Sequence, residues 1–271
     1  MIDAILNYQF MQNAFFAAVL ASIACGLIGT IIVEKKLVML SGGIAHTSFG
    51  GIGLGYLLNI EPIYGALGFA VTASLAIASI RRKIGTGSDT LIGMFWSLGM
   101  ALGVLFIGFT PGYPPDISSY LFGDILTVRR MDVWLMGALT IFMILAISSL
   151  FNYWKAYLFD EEFLRVLGVK TILLENFLFI MIALSIVILI RVVGIVLIIA
   201  LLTAPPAAAR LYTEDLKKIM GLAIIFGLIF SFSGLAFSYY YDLPSGAVII
   251  ITAALFYFGS VLIKKKNNVK R

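Results

Sequence analysis

Charged residues are scarce in this sequence. They make up 12% of its 271 residues, against about 25% in soluble domains, which excludes an ordinary water-soluble fold. Cysteine is nearly absent too: Cys25 stands alone in an apolar run, so the chain can form neither an internal disulfide nor a cysteine metal site. His46 is the one histidine. There is no H-E-x-x-H pattern, no pair of aspartates within an apolar run and no P-loop. The nearest lookalike, Gly168-Val169-Lys170-Thr171, lacks the upstream glycine and the Gly-Lys step that cradle phosphates. The chain is therefore expected to be no enzyme, with no catalytic residue and no ATP hydrolysis of its own.

What the sequence does have is apolar length. Hydrophobic residues make up 61% and the mean hydropathy is +1.06, while one helical bilayer crossing takes about 20 apolar residues. Apolar runs fall near 13–33, 38–58, 62–80, 90–109, 132–152, 172–190, 193–210, 219–238 and 244–263. They predict an all-α polytopic membrane protein with about nine transmembrane helices, a single domain over residues 1–271. The connections carry loop punctuation such as Glu61-Pro62, Gly85-Thr86-Gly87-Ser88-Asp89 and Asp242-Leu243-Pro244-Ser245-Gly246. The start, Met1-Ile2-Asp3-Ala4, holds an acid and no base before the first apolar run, unlike a cleaved signal peptide, so that run is expected to remain as a span.

The formal net charge is +5, which in a soluble protein would suggest a nucleic-acid partner. Here the basic residues sit in short clusters between apolar runs, as in Lys35-Lys36, Arg81-Arg82-Lys83, Lys217-Lys218 and Lys264-Lys265-Lys266. That is the pattern of cytoplasmic loops, and no nucleic acid is expected. Nine crossings put the termini on opposite sides. With the lysine-rich C-terminus cytoplasmic and the N-terminus outside, only Arg129, Arg130 and Arg191 of the 19 basic residues fall outside. The expected location is the inner, cytoplasmic cell membrane, as a multi-pass protein.

Three constellations stand out. The inner connection, about 153–171, contains a short amphipathic helix: Asp160 is placed to cap it, Glu161 and Glu162 suit its positive N-terminal end, and Gly168 suits its C-terminal stop. Phe163, Leu164 and Leu167 share one apolar face. Acids are repelled from an anionic inner leaflet, which favours a partner-docking helix over one lying on lipid. In the second span Gly42, His46, Gly50 and Gly53 recur at helical spacing, a small-residue face that lets helices approach closely. His46 lies about 12 Å in from Val38 at 1.5 Å per residue, a depth at which an ionisable group is expensive and by default functional. One imidazole makes a poor closed metal site, since tight sites take several ligands. A transient contact along a pathway, completed by Ser41, Thr47 or Ser48 or by a second subunit, is the reading for His46. In the seventh span the tandem Pro205-Pro206 removes two backbone donors and predicts a break, either a static kink or a hinge lining the pathway.

Together these segments resemble the membrane permeases of zinc and manganese ABC importers, a family related to iron-chelate and vitamin-B12 permeases. The residues that carry the resemblance are 40–55 around His46, Asp89 to Gly93, Tyr120 to Leu126, Phe159 to Val169, Val193 to Arg210 and Pro244 to Ala247. It implies a vitamin-B12-permease-like, type II importer fold and a permease for a divalent transition-metal ion (zinc or manganese, or iron as in the relatives). It further implies a homodimer, two cytoplasmic ATPase subunits that bind ATP and magnesium, and an extracytoplasmic metal-binding protein. The chain itself would hold no cofactor, Phe159 to Val169 would be the ATPase-coupling segment, and His46 would lie near the ion path. Many members have an aspartate four residues before that histidine, where this chain has Gly42. The alternative from another class, an ion-gradient-driven transporter without an ATPase partner, calls for carboxylates at mid-membrane, and the spans hold none near mid-depth.

Overall fold

The computed structural model describes residues 6–84, 88–112, 123 and 125–269. The segments 85–87, 113–122 and Asp124, with Lys270 and Arg271, lie outside the described residues. Among the described residues ten α-helices and one short 3-10 turn follow in order: α1 Gln9–Glu34, α2 Val38–Leu57, α3 Pro62–Ile84, α4 Ser88–Phe109, the turn Ile125–Thr127, α5 Arg130–Ser149, α6 Phe151–Phe159, α7 Glu161–Val166, α8 Thr171–Arg210, α9 Leu216–Tyr241 and α10 Ser245–Val269. Every described element is helical, as lipid demands of a chain whose backbone must satisfy its own hydrogen bonds.

Among the described residues eight segments are long and apolar enough to cross a bilayer, counting Thr171–Ile190 and Val193–Arg210 of α8 separately. The ninth crossing in the sequence reading, α2, falls outside that set although it is 20 residues long. Six glycines with Ser41, His46, Thr47 and Ser48 dilute its hydropathy. It is sheathed by protein instead. A methyl on Gly51 would overlap the backbone of Gly65 in α3, and one on Gly53 would overlap Gly103 in α4. The glycines thus serve two faces of α2, each pressed against a different neighbour, and association by such close backbone approach replaces the hydrophobic drive that lipid removes.

The ends of the helices can be assigned from their contacts. Starting from α1, whose C-terminal Lys35 lies 2.9 Å from Glu161, the direction alternates through α2, α3 and α4. Arg82, at the end of α3, pairs with Glu175 at 2.7 Å near the start of α8. Ile190, mid-way along α8, lines a cavity with Glu61 and Pro62 at the opposite end. Arg210, closing α8, is back beside Glu34 at 3.3 Å. The chain therefore reverses inside α8, and it does so at Gly194, whose φ of 76° and ψ of 164° are non-helical.

This corrects the expectation for the seventh span. Helix runs unbroken through Pro205-Pro206, both buried, and the break is at Gly194. Pro206 has no N–H for the Leu202 carbonyl, and that carbonyl packs against Gly29 of α1, where a methyl would overlap it. Protein contact at a glycine accommodates the freed acceptor, as membrane helices require. The reversal at Gly194 is braced by a second glycine from the outer connection: Gly123, at φ 64°, presses on Val193 and Gly194. Lys35, Arg82, Arg165 and Arg210 lie at one end of the bundle, and Arg129 caps α5 at the other.

Candidate functional site

His46 sits in the middle of α2 with its ring stacked on Trp96 of α4, centroids 4.0 Å apart and planes 11° from parallel. Its Nδ1 is buried without a hydrogen-bond partner. The hydroxyls named with it are occupied by backbone: Ser41 donates to Val38 O at 2.8 Å, Ser48 to Ala45 O at 2.6 Å, and Thr47 to Gly43 O at 2.7 Å and Phe95 O at 2.9 Å. Each hydroxyl spends its one proton on a carbonyl, though its lone pairs stay free to accept or to ligate. Thr47 also ties α2 to α4. Pro206 lies on α8 against Gly29 of α1, and Pro205 is buried beside it in the chain. Among the described residues no three of His, Cys, Asp and Glu come together as a metal cage.

The inner connection is two helices rather than a loop. α6 is held down by Trp154, fully buried, whose indole N–H donates to Ala146 O at 3.2 Å. Asp160 caps α7 as expected, accepting from Phe163 N at 3.0 Å, and Gly168 at φ 75° ends the turn, where the Val169 N–H reaches back to Leu164 O at 3.0 Å. The expected apolar face divides. Leu164 is 2% exposed and anchors the segment, while Phe163 (52%), Val166 (81%) and Leu167 (59%) stand outward with Phe159 and the exposed Glu162. The result is an apolar knob with an acidic flank on a capped turn.

Glu161 takes no part in that outward face. It accepts from Lys35 Nζ at 2.9 Å and from Arg165 at 2.7 Å, and Lys35 also donates to Tyr157 O at 2.8 Å while lying 3.9 Å over the Tyr157 ring. Burial acts to raise the Glu161 carboxyl, but these two charged donors outweigh it and hold it below 4.5. Burial, helped by Glu175 and Glu161, pushes the Tyr157 hydroxyl up, which keeps it protonated. The residue preceding Lys35, Glu34, which ends α1, meets Arg210 at the end of α8, a charge contact without the alignment of a hydrogen bond. Adjacent side chains of one helix end therefore hold the α7 segment on one side and the second half of α8 on the other. Sequence reasoning missed Lys35, Trp96 and Gly123 as site residues. Lys35 was visible only as half of a basic cluster, and the partners of Trp96 and Gly123 lie about 50 and 70 positions away in the sequence.

A sheath of helices with an apolar, capped turn at its basic end and a lone imidazole in its interior defines a membrane permease. Residues 7–264 match the ABC 3 transport family, and the chain belongs to that family. It is the membrane component of an ABC transporter and not itself an enzyme. It is 42% identical over 260 residues to an uncharacterised membrane protein of Synechocystis sp., covering 96% of this chain and 92% of that one. It is 30% identical to the manganese transport system membrane protein MntC of Listeria monocytogenes, over 99% and 95% of the two chains. The fold matches the structure of PsaBC from Streptococcus pneumoniae in complex with Fab, with a TM-score of 0.89, 29% identity and coverage of 100% and 98%.

Proposed function

We propose that this chain is the permease of an ATP-driven importer for a divalent transition-metal ion, manganese or zinc, and that it works in the inner membrane as a pair with two ATPase subunits. The observation that carries this reading is the exposed knob of Phe163, Val166 and Leu167 on a capped helix fastened to α1 through Lys35 and Glu161. An exposed apolar cluster rimmed by polar residues marks a protein-binding surface. The relative named as a manganese transport protein supports the cargo. In this reading the basic end is cytoplasmic, as the positive-inside rule favours, an extracytoplasmic binding protein delivers the ion to the opposite end, and ATP and magnesium bind on the ATPase.

A movement of the docked ATPase would press on Leu164 and Glu161 and through them on the end of α1, whose Glu34 touches the last residue of α8. The ion would pass His46 as a transient ligand, because neutral imidazole takes manganese only loosely and zinc more tightly, and no cage of other donors holds the ion there. The test is metal uptake by reconstituted permease–ATPase complexes carrying His46→Gln or His46→Leu at matched expression. Loss of uptake in both with assembly intact supports the reading. Unchanged uptake in both would place the ion's route away from α2.

A further inference from the structure

The stack of His46 on Trp96 is a feature of the α2–α4 seam that packing alone does not require. At that seam α2 and α4 touch through glycines: Gly50 meets Gly99 and Gly53 meets Gly103, so closely that a methyl would overlap the opposing backbone. Two such contacts already bring the helices together without any aromatic pair. One helical turn before His46, however, Gly42 has room. A methyl there would lie 3.5 Å from Cζ3 of Trp96 and 3.9 Å from Cδ1 of Ile199, so the space that a side chain at 42 would fill is filled by the indole. Any longer group at that position would contest it.

We infer that Trp96 is the positioning residue for His46, and that it can act so because residue 42 is glycine. The indole holds the imidazole flat at 4.0 Å, a separation at which aromatic faces attract beyond their burial. It also covers one side of the ring. Nδ1 is enclosed without a partner, whereas Nε2 is not enclosed in this way and makes no hydrogen bond among the described residues. A histidine ligand is usually oriented by a hydrogen bond from its other nitrogen to a carboxylate or carbonyl. Here a π-stack does the orienting, and Nε2 is the nitrogen left to meet a divalent cation. This inference rests on the proposal that His46 lies on the ion's route.

The test uses the permease–ATPase complex in proteoliposomes and follows uptake against Mn(II) and Zn(II) concentration. Trp96→Ala is expected to raise the half-saturating metal concentration about threefold to tenfold, the scale of a lost aromatic pair, with the maximal rate retained. Trp96→Phe keeps a ring over the imidazole and is expected to recover most of the loss. Gly42→Leu, which leaves Trp96 in the chain but displaces it from the stack, is expected to behave like Trp96→Ala and covers the case in which that variant does not assemble. Saturable quenching of tryptophan emission by Mn(II), lost in both Trp96→Phe and His46→Gln, would report the pair directly. If His46→Gln impairs uptake while Trp96→Ala and Gly42→Leu leave the half-saturating concentration unchanged, the positioning role is wrong and the proposed route survives. If His46→Gln transports as wild type, both fall together.

Discussion

At the scale of single residues, glycine decides more here than charge does. Gly123 and Gly168 both take positive φ, 64° and 75°, and either replaced by alanine would bear about 1 to 2 kcal/mol of backbone strain. Their surroundings differ. A methyl at 168 meets open space, whereas one at 123 overlaps the backbone of Val193 and Gly194. Gly123→Ala should therefore lower the melting temperature in detergent well beyond Gly168→Ala, and equal melting temperatures would show that the outer connection does not brace the reversal of α8. Glu161 sets a second expectation. Its carboxyl is held below the usual value by Lys35 and Arg165, so its contribution to anchoring α7 is complete above about pH 4.5 and is lost as the pH falls through the lowered value. A fluorophore attached at Val166→Cys should show constant anisotropy from pH 8 to 5 and a decline only in stronger acid. Cys25 is buried, so labelling at 166 is specific. A decline near neutral pH would mean that another group holds the segment.

Among elements, α7 is the one whose two faces do different things. Leu164 faces inward and Leu167 outward, although both are leucines three positions apart. Leu167→Asp places a charge where water already reaches, and it should abolish metal-stimulated ATP hydrolysis through lost docking while the permease inserts and folds normally. Leu164→Asp buries an unpaired carboxylate, which costs several kcal/mol, and should detach the whole segment from α8. Protease sensitivity of the 159–169 region separates the two outcomes: raised for Leu164→Asp and unchanged for Leu167→Asp. Equal coupling in Leu167→Asp and wild type would remove the outward face as the docking surface.

Across the whole molecule, the alternation of helix directions puts residues 8 and 264 at opposite ends, with Met131 and Val166 exposed at opposite ends as well. In intact cells an impermeant thiol reagent should modify Met131→Cys and spare Val166→Cys, with the pattern reversed in inverted vesicles. Modification of Val166→Cys from outside would invert the assignment of the basic end to the cytoplasm and carry the coupling proposal with it.

The sequence by itself determined the class of protein and the positions of eight of its nine expected crossings. Composition and run length decide partition into lipid, and those are local sums over about 20 residues. The cap of α7 was equally legible, because Asp160 and Gly168 act on backbone groups within a few positions of themselves. What only the tertiary structure decided was which partner each side chain finds. Pro205-Pro206 reads as a break, yet Gly29 of another helix accommodates the freed carbonyl and the chain turns at Gly194 instead. Phe163, Leu164 and Leu167 read as one face, yet the packing of α7 on α8 buries one and exposes two. His46 reads as a lone imidazole, and its companion Trp96 is 50 positions away. Hydrophobic periodicity says which residues leave water, but in a protein whose every helix is apolar it does not say which apolar neighbour they meet. That choice is made by the few glycines at which two backbones can touch.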